Sequence, residues 1–269
     1  MGAGRCIVRG ARGGLALALF AVFGIGSLLL APLAIVLGRP DRCHPVVRAL
    51  WRLFAWMCVH GGLIGIDAEG LRPVRGCIVA ANHPSLIDVI LVTALLPRTL
   101  FAAKHALEGN PFLGAIVRNA ALPGDAGLVE AAGAYLERGW NVLVFPEGTR
   151  SPQPDAPGPL RRGVAQLALR SGAPVVCVGI RLSRPILGKR QKPWDMGDGR
   201  AVYAFRSDGP VATNPDPSRP LRAQAEELTA GLARRIAGLM DGDVPGQPGI
   251  ARWPDPSLPL EAPQKGAGA

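Results

Sequence analysis

The chain has 269 residues, 48% of them hydrophobic, and a formal charge of +10, which suits one large domain with attachments or two small ones. Aromatic residues make up only 5% and no nucleic-acid motif is present, so the charge does not point to a nucleic-acid partner. The five cysteines (6, 43, 58, 77 and 177) are scattered without a Cys-x-x-Cys, which argues against a disulfide framework or a zinc site; they read as small core hydrophobes in a reducing compartment.

The first sixty residues hold seven arginines and one aspartate, whereas 241–269 hold four acids and two bases. The basic excess therefore surrounds the most apolar part of the chain and fits an anionic membrane surface. From Gly13 to Gly38 no charged residue occurs. As helix this stretch would measure about 39 Å, longer than a bilayer core of roughly 30 Å. Arginines flank both ends, so their balance marks no inside end. A tilted span, a re-entrant hairpin bent near Gly24, Gly26 or Pro32, and a cleaved signal peptide all match. The run is too long for a usual signal peptide, so a retained anchor is expected, with its geometry open.

Val46–Val59 continues as a helix with Arg48 and Arg52 on one face and Trp51, Phe54, Trp56 and Met57 over much of the rest. It reads either as an interfacial helix or as one packed on the following domain. Strands are then predicted near 63–68, 77–81, 99–102, 141–145, 175–181 and 201–205, with helices near 86–96, 111–118, 127–138 and 160–171. This alternation predicts an α/β fold with a mixed, largely parallel sheet and helices on both faces, plus the N-terminal membrane-embedded helical segment. A last amphipathic helix is expected over 221–240. The boundaries are an anchor and interfacial helix over 1–60, a catalytic domain over 61–240, and a disordered glycine- and proline-rich tail over 241–269.

Cys77–Ala81 reads as a buried strand ending at Asn82-His83-Pro84-Ser85-Leu86-Ile87-Asp88. The residue before proline is biased to extended geometry, so His83 should sit on the loop, with Pro84 in the first helical turn and Asp88 in the second. Within one helix, positions five apart diverge by roughly 140°; with His83 off the helix, the Asp88 carboxylate can fold back onto one imidazole nitrogen. This describes a histidine base with its orienting acid and no enzyme nucleophile. Asn141–Phe145 is a second strand, ending in Pro146-Glu147-Gly148-Thr149-Arg150-Ser151. In a parallel sheet its loop leaves the same edge as His83, where open α/β sheets bind ligands. Gly148 permits close backbone approach and Arg150 can fork onto a phosphate or carboxylate. Glu147 either meets a substrate hydroxyl or ties the loop to backbone amides.

These two motifs, in this order and spacing, closely resemble the glycerolipid acyltransferase family, whose best-known members are 1-acylglycerol-3-phosphate acyltransferases. The resemblance runs from about Gly70 to Arg181. Lys104 with Pro111-Phe112-Leu113-Gly114 resembles the family's intermediate block. Leu160-Arg161-Arg162-Gly163 and Ala173-Pro174-Val175-Val176 resemble its later segments. It implies that His83, oriented by Asp88, deprotonates an acceptor hydroxyl that attacks an acyl thioester. Glu147, Gly148, Thr149 and Arg150 would then hold the acceptor's polar head, with Lys104, Arg161 and Arg162 as further substrate-binding candidates. Ser85 is a poor nucleophile and suits a helix cap, and backbone amides at that helix start would stabilise the oxyanion. His44, His60 and His105 lack acidic partners in this reading and are taken as interfacial or structural.

The resemblance further implies a fatty acyl group moved from acyl-CoA or acyl-carrier protein to a lysophospholipid at a membrane bilayer, without metal or prosthetic cofactor, at the cytoplasmic face of an inner membrane. One departure bears on the acceptor. Many members carry Gly-x-Ile-Phe-Ile-Asp-Arg after the proline-glycine block, its arginine helping to bind acceptor phosphate, whereas the matching region here, Arg118-Asn119-Ala120-Ala121-Leu122-Pro123-Gly124-Asp125, has no arginine at that place. 1-acylglycerol-3-phosphate and another lysolipid, such as lyso-ornithine lipid, both stand as acceptors, and a specialised acyl chain as donor. A lipid hydrolase, a metal-dependent enzyme using His83, Asp88 and Glu147, and a membrane scaffold are the rivals. The absent Gly-x-Ser-x-Gly elbow, the single histidine and the clustered polar residues at strand ends argue against each in turn.

Overall fold

The computed structural model describes residues 2–124, 127–153, 156–242 and 252. Seven strands form one sheet in the order β1-β7-β6-β2-β5-β3-β4: β1 Ile64–Gly70, β2 Ile78–Ala81, β3 Thr99–Ala103, β4 Leu122–Pro123, β5 Asn141–Val144, β6 Val175–Leu182 and β7 Ala201–Ser207. β6, β2, β5, β3 and β4 run parallel, β7 runs antiparallel to β6, and β1 runs parallel to β7. The expected mixed, largely parallel sheet is present, and β2 lies at its centre.

The uncharged run of β2 follows from burial on both faces. Cys77, Val79 and Ala81 enter one core with α3 (Pro40–His60), α4 (Asp88–Leu95) and part of α1 (Gly2–Leu29). Ile78 and Ala80 enter the other with α6 (Leu128–Glu137), α7 (Gly163–Ser171) and α8 (Leu221–Met240). The first core continues into the N-terminal helices, which share packing with the sheet.

The anchor run bends at one of the expected positions. α1 ends at Leu29, and α2 (Ala31–Leu37) follows with Pro32 in its first turn and left-handed Gly38 (φ 60°) closing it. α3 returns antiparallel to α1: Leu15 lies by Gly61, Phe20 and Phe23 meet Phe54 at 5.6 and 4.6 Å, and Leu50 lies by Gly26. Gly4–Leu29 is long and apolar enough to cross a bilayer by length and composition. Its basic end is docked on the sheet domain, with Arg12 donating to the carbonyls of Gly62, Leu63 and Gly199 and Arg9 pairing with Asp195. Val22, Ile25, Leu29, Ile35 and Val36 point outward.

Of the two readings of the helix after the anchor, the packed one is observed. Trp51 and Phe54 are buried, Trp51 lies 4.9 Å from Phe101, and Trp56 alone of the three faces out. The helix starts at Pro40, earlier than the expected Val46, and holds Pro45 inside it. β4 has two residues and the turn His105–Gly109 is 3₁₀, both too short for a periodic signal. Four cysteines are buried and Cys6 is exposed; burial pushes the Cys58 and Cys177 thiols up to about 12. In the expected tail, Arg252 bridges to β1 beside Asp67 and pairs with Glu69; residues 243–251 and 253–269 lie outside the described residues.

Candidate active site

β2 ends by exchanging backbone pairing for side-chain pairing. Buried Asn82 accepts from the Ile180 N–H at 2.7 Å and donates to the Ile180 carbonyl at 2.8 Å. The asparagine thereby completes the ladder to β6 and frees the His83 backbone to turn toward β5. There the His83 N–H donates to Glu147 Oε1 (2.9 Å) and Ser151 Oγ (3.2 Å), while its carbonyl accepts from the Ser151 N–H at 2.7 Å. Both backbone polar groups of His83 are thus held by the loop after β5. The two loops leave one edge because β2 and β5 are parallel neighbours.

His83 Nδ1 lies 2.9 Å from Asp88 Oδ2. Asp88 is fully buried, and its other contacts come from Ser85: the N–H to Oδ2 at 2.7 Å and the hydroxyl to Oδ1 at 2.8 Å. An acceptor-only carboxylate in this position requires Nδ1 to carry the proton, which leaves Nε2 as the basic nitrogen. Nε2 has no protein partner among the described residues, and the side chain is 19% exposed. The imidazole stacks on Phe145, with centroids 4.2 Å apart and planes 19° from parallel.

The local route to this geometry differs from the expected one. α4 begins at Asp88, so Pro84 lies in the loop and Asp88 in the first helical turn. The 83–88 segment is held by the Asp88 carboxylate and by Leu86 N–H donating to Leu187 O at 3.0 Å. The backbone amides just before this helix start are already engaged. Those of Ser85, Leu86 and Ile87 already donate to Asp88, Leu187 and Ser85 Oγ. Ser85 serves the aspartate rather than the helix end.

In the second loop, Gly148 adopts φ 65°, and a Cβ there would lie 3.0 Å from Arg161 Nε; both facts favour glycine. Glu147 is buried. Oε1 accepts from His83 N–H and Ser151 Oγ (2.7 Å), and Oε2 accepts from Gly158 N–H (2.8 Å). Of its two alternative roles, the loop tie is the one observed, because its oxygens are committed to protein donors. Arg150 Nη1 donates to the carbonyls of Leu187 and Gly188, both at 3.0 Å, so part of its fork secures the 183–200 loop. Thr149 and Arg161 are exposed beside it.

Lys104 is exposed at the end of β3 on the same sheet edge. Arg162 departs from expectation: it points to α8 and pairs with Glu226 at 2.6 Å. His44 is structural, with Nε2 accepting from Thr99 N–H at 3.3 Å. Burial, then Arg48 and Arg98, lower its pKa to about 4. His60 is exposed and stacks on Trp56. His105 does have an acidic partner, Glu108 at 2.8 Å on the surface, which the sequence reading did not assign. That reading also passed over Asn82, whose place at the strand end is its only signal, and Tyr203, whose hydroxyl reaches Ser85 from a strand 118 residues away.

The Acyltransferase family model matches residues 65–181, the segment that carries both loops. A 1-acyl-sn-glycerol-3-phosphate acyltransferase of Neisseria gonorrhoeae is 31% identical over 134 residues, which cover 44% of this chain and 49% of that protein. A lyso-ornithine lipid O-acyltransferase of Pseudomonas aeruginosa is 33% identical over 91 residues, 31% of this chain and 35% of that protein. The chain spans about half the length of the curated relatives it matches, 42% and 49% of the first two. The crystal structure of PlsC, the 1-acyl-sn-glycerophosphate acyltransferase of Thermotoga maritima, superposes with a TM-score of 0.59. It covers 83% of this chain and 95% of that one at 20% identity, a likeness of fold.

Proposed function

We propose that this chain is a glycerolipid acyltransferase that moves a fatty acyl group from a CoA or carrier-protein thioester to the hydroxyl of a lysophospholipid. The observation that carries this reading is the His83–Asp88 pair, with Nδ1 committed to the acid and Nε2 open at the sheet edge. Nε2 takes the proton of the acceptor hydroxyl as its oxygen attacks the thioester carbonyl. The tetrahedral intermediate then collapses, the carbon–sulfur bond breaks, and the leaving thiolate recovers the proton from the imidazolium. No acyl-enzyme forms, in keeping with a site whose serine already donates to Asp88.

Positive charge for the acceptor head comes from Arg150, whose Nε and Nη2 have no protein acceptor among the described residues, and from exposed Arg161 and Lys104. 1-Acylglycerol-3-phosphate is the acceptor proposed first. A lyso-ornithine lipid is the second, favoured by the matching relative and by Arg118, which is spent on the Glu108 carbonyl at 2.6 Å. The outward apolar side of α1 and α2 would rest in the bilayer, so that the site meets lipid held at the membrane surface.

Purified protein incubated with lysolipids and both donor types tests the reading, with lipid products identified by mass and thiol release counted against ester formed. One thiol released per ester supports transfer. Equal release of free fatty acid without an acceptor identifies a hydrolase and overturns it.

A further inference from the structure

Tyr203, near the start of β7, is the largest fully buried side chain among the described residues. Its ring packs in the core beside Phe205. Its hydroxyl has one partner among the described residues, Ser85 Oγ at 2.8 Å. Ser85 Oγ in turn donates to Asp88 Oδ1 and accepts from Ile87 N–H at 3.3 Å. Only one arrangement of protons satisfies this chain. Asp88 accepts only, Ser85 has one proton to give, and the phenol must therefore donate to the serine. Burial and the nearby Asp88 charge raise the Tyr203 pKa well above the usual tyrosine range, which keeps the donor protonated.

We propose that Tyr203 is a positioning residue for acyl transfer, acting through Ser85 to fix the Asp88 carboxylate against His83. The placement supports it. Among the described residues the Asp88 carboxylate accepts only from its own segment, 83 to 88, and the other ties on that segment, at His83 and Leu86, come from the loops around Glu147 and Leu187. Tyr203 ties that segment to the sheet, because β7 pairs with β6 through Tyr203 and Leu182, just beyond the Ile180 that holds Asn82. The loop is thus fastened at Asn82 to β6 and at Ser85 to β7. A phenylalanine would fill the same volume; what the hydroxyl adds is this link.

The inference rests on the acyltransferase reading, and its test has an arm that does not need activity. Full-length protein is prepared as wild type, Tyr203→Phe, Ser85→Ala and the double variant. Tyr203→Phe is expected to lower kcat about fivefold, the effect of one neutral hydrogen bond, with KM unchanged. The double variant should be no slower than Ser85→Ala alone, since both remove one link. The His83 Nδ1–H proton resonance, identified by its loss in His83→Gln, should exchange with water faster in Tyr203→Phe and in Ser85→Ala. Wild-type kcat and exchange in Tyr203→Phe, or losses that add in the double variant, would overturn the proposal. If Tyr203→Phe fails to fold, Ser85→Ala reads the same link from its other end, and unchanged exchange there refutes it. If wild type transfers no acyl group, the reading of the reaction fails, while the exchange arm still decides the role of Tyr203.

Discussion

The imidazole of His83 lies against the ring of Phe145, with centroids 4.2 Å apart and planes 19° from parallel. One residue follows β2 and the other follows β5, so the stack joins the two loops through the imidazole itself. With Nδ1 fixed by Asp88, the phenyl face restricts the rotation that remains. Phe145→Leu should remove that restraint, lowering kcat by about threefold to tenfold and stability by about 1 kcal/mol, the worth of an aromatic pair. Steady-state kinetics and denaturant unfolding check both.

Glu147 separates a structural from a substrate-binding role. Its two oxygens serve His83, Ser151 and Gly158, so Glu147→Gln must present an amide N–H₂ to at least one donor. The expected cost is about 1–3 kcal/mol of stability and a fall in kcat, with acceptor KM unchanged. A glutamate that touched substrate would instead show its loss mainly in KM.

Arg150 links the second motif to the 183–200 loop. Leu187, whose carbonyl receives both Arg150 and the Leu86 N–H, is held at φ 54°, a conformation leucine rarely adopts. Arg150→Ala should release this segment. Amide exchange at 187–188 and limited proteolysis of 184–200 should both quicken, and KM for an anionic lysolipid should rise. Arg150→Lys is expected to keep the charge and lose the paired carbonyl contacts.

His44 sets an acid limit on stability. Its folded pKa of about 4 lies below the ordinary 6.5, so the unfolded chain binds the proton more readily between those values. Stability is therefore full above pH 6.5 and declines as pH falls toward 4, by about 3 kcal/mol in all. Protonation also removes the acceptor for Thr99 N–H. His44→Gln should flatten this interval, as measured by urea unfolding at stepped pH.

Much of the architecture is legible in the sequence because its signals are local. The uncharged run 77–81 announces a strand covered on both faces, and Asn-His-Pro announces where it stops. The meeting of His83 with Asp88 follows from proline geometry even though α4 begins later than expected, since the carboxylate needs only a loop that folds back. What escapes is long-range. Nothing near Asn82 shows that its amide pairs with Ile180, and nothing near Tyr203 shows that its hydroxyl meets Ser85. The pairing of Arg162 with Glu226 on α8 is long-range too, whereas that of His105 with Glu108 is local and is missed because its 3₁₀ turn carries no periodic signal.

The central claim, that His83 is the base, is tested most directly by turnover of purified His83→Ala against wild type, with thiol release and lysolipid acylation followed together. The account predicts a loss of about 10²–10⁴-fold at unchanged circular dichroism and unfolding midpoint. A folded His83→Ala protein that acylates at the wild-type rate would contradict it.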